Sequence, residues 1–308
     1  MKKTVALLLS ILLAFSFCGC AETTKKENKN EKLKVVTSIF PAYDFAREIV
    51  GDKADIEVLL KPGIESHGYE PTLKDIAAMN KCDVMIYVGG ITDSWVEDVI
   101  EDSDMNNKKI FRFLDIIEPL PLYDEEEISE HSHETEIDDH VWTSPKNAKK
   151  LVEEISKVVI SADKENAEYY KKRTETYLEK LDSLDKDLER ISKNSNGKPL
   201  IFADRFPFRY MAKDYGFEAL SALDGCTSDT EPTISAINKI VGVVNENDIK
   251  VIFYVDSSDG KIADKVSSIT GAEKELLHSC HNVASDEKNE NYISLMKRNI
   301  KVLREALG

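Results

Sequence analysis

Apolar and polar positions along this chain alternate between two periods. LKVVTSIF (33–40) is a β-branched apolar run that predicts a strand. AYDFAREIVG (42–51) spaces its apolar residues as a helix does and stops on Gly51, and IEVLL (56–60) is extended again. TLKDIAAMNK (72–81) predicts a helix with Thr72 as N-cap and Asp75 in the capping-box place. VMIYVGG (84–90) predicts a buried strand ending in glycines, and DSWVEDVIED (93–102) a helix.

After Pro145 the pattern turns helical for a long way. From Lys164 to Lys193, Ala167, Tyr170, Tyr177, Leu178, Leu181, Leu184, Leu188 and Ile191 keep three-and-four spacing between charges. So short a seam, carrying two tyrosines, suits a connector lying along two lobes better than a coiled-coil dimer. The alternation then resumes. PLIFAD (199–204), IKVIFYVD (249–256) and EKELL (273–277) predict strands. FRYMAKDYG (208–216), KIADKVSSITG (261–271) and ENYISLMKRNIKVLREAL (290–307) predict helices, as does EPTISAINKIVGVVNEN (231–247) with Pro232 in its first turn. The expected fold is α/β, with two similar lobes, each a parallel-rich sheet flanked by helices, joined by one long rigid linker helix. Ligands of such arrangements sit between the lobes near strand C-terminal ends.

Composition narrows the function. A formal net charge of −16 disfavours nucleic acid as a partner and is compatible with a cation. The start, MKKTVALLLSILLAFSFCGC, has two lysines before an apolar run too short to span a bilayer, as in an export signal. Its end, Phe17-Cys18-Gly19-Cys20, resembles a bacterial lipobox, although Phe17 is bulkier than the usual aliphatic. Cys20 is then the lipidated first residue of a mature chain held on the outer side of the cytoplasmic membrane. The expected division is a signal peptide over 1–19, a lipidated tether over 20–32, an N-terminal metal-binding lobe over 33–162, a linker over 163–195 and a C-terminal metal-binding lobe over 196–308. Cys82 reads as a small buried hydrophobe, and Cys226 with Cys280 is the one pair considered for a disulfide.

The six histidines fall in three patches: His67; His131, His133 and His140; and His278 and His281. A lone imidazole says little, but imidazoles converging from strand ends are the usual donors to zinc or a neighbouring divalent ion. PGIESHGYEPT (62–72) and DDHVWTSP (138–145) resemble the PG-x-x-x-H-x-YEPT and D-x-H-x-W-x-x-P loops of the zinc and manganese binding proteins that feed bacterial ATP-binding-cassette importers. FRYMAKDYG, TEPT (230–233) and the closing helix resemble the same family, across nearly the whole mature chain.

That resemblance implies one metal ion in the interlobe cleft, with His67 and His140 as the first lobe's ligands and His278 at the place of the family's late acidic ligand. The third ligand's place falls on Arg205, which cannot donate a lone pair. Asp204, Glu231, Cys280 and His281 are the candidate replacements, with His281 favoured. Arg205 is free to pair with Glu231 or Asp204 instead. The acidic segment holding His131 and His133 resembles the accessory metal loop of zinc members. The implied function is capture of Zn²⁺, with Mn²⁺ as the alternative cargo, and delivery to the membrane permease by a monomeric protein. The chain contains no HExxH, GxSxG or P-loop sequence to favour the alternative of a secreted zinc hydrolase.

Overall fold

The computed structural model describes residues 31–64, 66, 68–103, 105, 107–122, 137–223, 232–287 and 289–308. Cys20, His67, His131, His133, Cys226 and Glu231 lie outside the described residues. Leu33–Gly308 forms one compact unit.

The first lobe runs β1 (Leu33–Thr37), α1 (Phe40–Val50), β2 (Ala54–Val58), α2 (Leu73–Lys81), β3 (Val84–Tyr87), α3 (Trp95–Glu101) and β4 (Lys109–Arg112). Its strands pair in parallel in the order β2-β1-β3-β4. A short antiparallel pair, β5 (Leu120–Pro121) and β6 (Ile137–Asp138), flanks the acidic segment. Helices α4 (Pro145–Ala162) and α5 (Ala167–Asn194) follow. The second lobe runs β7 (Leu200–Phe202), α6 (Arg209–Tyr215), β8 (Ala219–Ser221), α7 (Ile234–Glu246), β9 (Val251–Val255), α8 (Lys261–Thr270) and β10 (Glu273–Leu277), and α9 (Tyr292–Leu307) closes the described chain. Its parallel sheet has the order β10-β9-β7-β8.

Local chemistry explains the boundaries. The Thr72 side chain accepts from Asp75 N while the Asp75 carboxylate accepts from Thr72 N, the reciprocal cap that starts α2. Strand β1 stops at Thr37, short of the predicted run, because Phe40 and Pro41 open α1 and a proline's fixed φ suits a helix's first turn. In the second lobe the cap of α7 is Thr233, so Pro232 lies before the helix rather than within it. Strand β4 (KIFR) was not predicted, being too short for its alternation to register.

Helix α5 carries the connector pattern. Tyr170, Tyr177, Leu181, Leu184, Leu188 and Ile191 are buried on one face, against α1, α4 and α9. The seam is therefore used within the chain. Asp44 on α1 sits where these helices meet. It is fully buried, pairs with Arg47, and accepts from Tyr177 Oη at 3.3 Å and from Tyr292 N at 3.0 Å. Burial outweighs those donors and pushes its pKa up to about 6.

Two expectations are corrected here. Cys280 is a buried free thiol, so the pairing with Cys226 is not made. Asp204 is held by the backbone N–H of Arg205 at 2.8 Å and of Val255 at 3.2 Å, and not by the Arg205 guanidinium.

Leu184→Ala should lower the unfolding free energy by about 2–5 kcal/mol, as expected of a fully buried leucine. The same change at the exposed Lys186 should cost under about 0.5 kcal/mol. Urea titrations of both variants check this, and equal losses would contradict the packing of α5. The folded state keeps the Asp44 proton up to about pH 6, whereas the ordinary value is 3.8. Folding therefore takes up a proton between those pH values, and this group's contribution to stability falls as pH rises through the window. The stability of wild type minus that of Asp44→Asn should decline from about pH 4 to about pH 6. A difference that does not change with pH would contradict it.

Candidate metal centre

Two loops from different lobes build the site. The first leaves β6 and turns through Asp138, Asp139 and His140 into the short helical turn Val141–Thr143. All three are buried, and their ligand atoms lie within 4.8 Å of one another. Asp138 Oδ1 accepts from His140 N at 2.9 Å and from His140 Nδ1 at 2.6 Å. With the carboxylate as acceptor at Nδ1, Nε2 is the ring nitrogen left for a metal. Asp139 Oδ2 accepts from Thr92 N at 2.6 Å. The Tyr210 hydroxyl, from α6, donates to Asp138 O at 2.6 Å and accepts from Leu120 N at 3.0 Å. The second lobe thus braces the first lobe's loop.

The second loop leaves β10 as His278-Ser279-Cys280-His281. Asn299 on α9 clamps its start, accepting from His278 N and donating to His278 O, both at 2.8 Å. Cys280 has φ +58°, a left-handed conformation that a non-glycine residue seldom adopts. The turn it makes sends the two imidazoles to different surroundings.

His281 reaches the first lobe. Its ring centroid lies 5.0 Å from that of His140 and 5.1 Å from that of Trp142, while Trp142 Nε1 donates to Ser279 O at 2.9 Å. The hydroxyl oxygens of Ser66 and Thr92 lie 3.1 and 3.2 Å from His281 Nε2. His278 faces carboxylates instead: Asp256 Oδ2 is 3.6 Å from its Nδ1, which accepts from Cys280 N, and Glu287 Oε2 is 3.9 Å from its Nε2. Burial holds the His278 pKa below its ordinary 6.5 despite those two acids, which favours the neutral imidazole. His278, His281 and Ser66 line one cavity of about 410 Å³.

The loop before α2 meets this turn across the cleft. Gly63 N donates to Val283 O at 2.8 Å, and Asn282 Nδ2 donates to Lys61 O at 2.9 Å and Ile64 O at 2.8 Å. Gly63 has φ +80°, and a Cβ there would stand 2.5 Å from Ser285 Oγ, so both space and backbone favour glycine.

Among the predicted site residues, then, His140 and His281 come together. His278 is adjacent, on the same cavity wall. Asp204 accepts from two backbone N–H groups, and the Cys280 thiol is buried in the core, its pKa raised well above the ordinary range by desolvation. Asp138, Asp139, Ser66, Thr92 and Tyr210 were not singled out from sequence as supports of the site. For Asp138 a signal existed: an acid two residues before a candidate ligand histidine suits a turn in which carboxylate meets imidazole.

The chain is similar to known proteins. The family described as "Zinc-uptake complex component A periplasmic" (ZnuA) matches residues 35–306. The high-affinity zinc uptake system protein ZnuA of Bacillus subtilis is 31% identical over 308 residues, covering 96% of this chain and 94% of that protein. The zinc-binding lipoprotein AdcA of Streptococcus pneumoniae is 30% identical, covering 99% of this chain, which spans only 61% of AdcA's length. The crystal structure of the Zn(II)-bound ZnuA-like domain of that AdcA superposes with a TM-score of 0.73 at 29% identity, covering 90% of this chain and 99% of the domain. With its paired parallel sheets and a histidine contact between two loops, the chain belongs to the ZnuA family of periplasmic zinc-uptake complex components.

Proposed function

We propose that this protein captures Zn²⁺ between its lobes outside the cytoplasm and delivers it to the membrane permease of an ATP-binding-cassette importer. The observation that carries this reading is the approach of His140 and His281, from different lobes, beside the buried ring of Trp142. Two imidazoles in a buried cleft are nitrogen donors of the kind Zn²⁺ prefers over Mn²⁺. The resemblance adds His67, on the loop that also carries Ser66. We assign His67, His140 and His281 as ligands, with His278 in reserve on the cavity wall, where Asp256 and Glu287 draw in a cation without being needed to hold it. His281 then stands in for the donor lost at Arg205. His131 and His133 serve at most as weak accessory sites.

The chemistry required is binding and release, with no reaction step. A ligand pair split between lobes closes the cleft when occupied and lets the ion go when the lobes part. We take the lobes to span 33–162 and 196–308 with the linker over 163–195, and Cys20 to carry the lipid anchor. No helix among the described residues is long and apolar enough to cross a membrane.

His140→Ala and His281→Ala should each weaken Zn²⁺ binding by at least about tenfold, the loss expected with a direct ligand, and His278→Ala should weaken it less. Chelator competition measures all three. If His278→Ala proves the most damaging, the assignment within the second loop is reversed. Asp138→Ala should cost about 10–100-fold in zinc affinity by releasing the His140 ring, with Asp138→Asn in between because an amide oxygen still accepts from Nδ1–H. Full affinity in Asp138→Ala would show that the bond does not orient the ligand.

A further inference from the structure

The two lobes are repeats of one unit. Numbering strands from the start of each lobe, both sheets have the order 2-1-3-4, so α2 and α7 are equivalent crossover helices, each between its lobe's second and third strands. Their starts repeat in sequence as well: Glu70-Pro71-Thr72-Leu73 and Glu231-Pro232-Thr233-Ile234, followed by Ile76 and Ile237. Thr72 accepts from Asp75 N at 3.3 Å and Thr233 from Ala236 N at 3.1 Å. Burial also runs in parallel, with each proline half-buried, each threonine exposed and each later isoleucine half-buried.

At the first helical position of each stands a large aliphatic side chain in solvent. Leu73 is 86% exposed and Ile234 is 80% exposed, above every other large hydrophobic among the described residues, Ile269 being next at 62%. One exposed aliphatic is unremarkable. Two at the same place in both repeats are harder to dismiss, because the first turn of a helix favours acidic or small polar residues and the caps here are already complete. In a parallel sheet the crossover helix starts at the strands' C-terminal edge, the edge where ligands bind. The loop that ends at Leu73 carries Ser66 to His281 and is tied to the second lobe at Gly63 and Asn282.

Resting on the delivery reading above, we propose that Leu73 and Ile234 are paired anchors, one per lobe, through which the protein docks on the importer's membrane subunits. The partner is one that presents the same apolar socket twice, since a duplicated anchor fits a duplicated receiver. Gripping each lobe separately gives the membrane subunits leverage on the cleft. Movement at Leu73 is passed along the loop to the Gly63 and Asn282 hydrogen bonds that hold the lobes together.

The test uses the full chain in a deletion strain complemented with Leu73→Asp, Ile234→Asp, the double variant, Leu73→Met, or Ile269→Asp as an exposed control. Zinc affinity and melting temperature are measured on purified protein, and uptake of radioactive Zn²⁺ on cells. Each aspartate variant should keep wild-type zinc affinity and stability yet lose about tenfold or more in uptake, the scale of losing one buried aliphatic contact. The double variant should fall to background, while Leu73→Met and Ile269→Asp retain uptake. Wild-type uptake in the double variant would overturn the anchors and leave zinc delivery standing. Absence of zinc uptake in cells carrying the wild-type protein would instead remove delivery itself, and the anchors with it. A wild-type dimer in sedimentation that either aspartate variant dissolves would assign the pair to self-association and overturn the proposal.

Discussion

The burial of one face of helix α5 is the constraint on which the rest depends. At 28 residues it outlasts either lobe's own helices, and its apolar stripe is covered by α1 from the first lobe, by α4, and by α9 from the chain's end. The fully buried Tyr170, Tyr177, Leu181, Leu184 and Leu188 would otherwise stand in water, so separating the lobes widely exposes a large apolar area. Asp44 adds direction to this packing, because a buried carboxylate must find donors, and here they come from α5 and from the first residue of α9. The two sheets are thereby kept with their strand C-terminal edges close enough to share a site.

Within that frame the candidate metal centre is braced by supports taken from the opposite lobe. Tyr210 of α6 holds the backbone of Asp138, Ser279 of the second lobe accepts from Trp142, and Tyr292 donates to Trp142 O at 2.6 Å. His281 thus meets groups that the cleft itself brings near, whereas the His140 ring is held by Asp138 of its own loop. Asp93 is the buried counterpart beneath the first lobe's edge: it accepts from Ser38 Oγ at 2.5 Å, Val88 N at 2.8 Å and Gly89 N at 2.7 Å, and burial raises its pKa to about 6. It fixes the turn after β3 that delivers Thr92 to Asp139 and His281. A larger groove of about 790 Å³ lies along α4 and α5 away from the histidines, and its walls carry the ion pairs of Lys149 with Asp182 and Asp185.

Much of the fold was legible because its signals are local. The Thr72–Asp75 cap, the glycines after β3 and the stripe of α5 are set by residues within a few positions of one another, and each appears where the pattern put it. The departures have local causes too. Strand β1 is cut short by the Phe40-Pro41 helix start, and Thr233 takes the capping role that placed Pro232 one step too far inside. Strand β4 has four residues, too few for alternation to declare itself.

The site was legible only in part, for a different reason. Sequence supplied the donor types, the three histidine patches and the misfit of arginine at position 205, since these depend on side-chain chemistry alone. It could not say which of His278 and His281 meets His140. They are three residues apart, and the difference lies in the left-handed turn at Cys280, in the Asn299 clamp 21 residues away in the chain and in the hydroxyls of Ser66 and Thr92. Nor could it show that Asp204 accepts from the backbone N–H groups of Arg205 and Val255. Sequence by itself determined the elements, the duplicated lobe pattern and the coordinating chemistry, because propensity, periodicity and donor atoms belong to the chain. Tertiary structure alone decided which imidazoles converge and which acids serve as supports, because contacts between residues 66 and 281 or 138 and 210 exist only once both lobes have packed on α5.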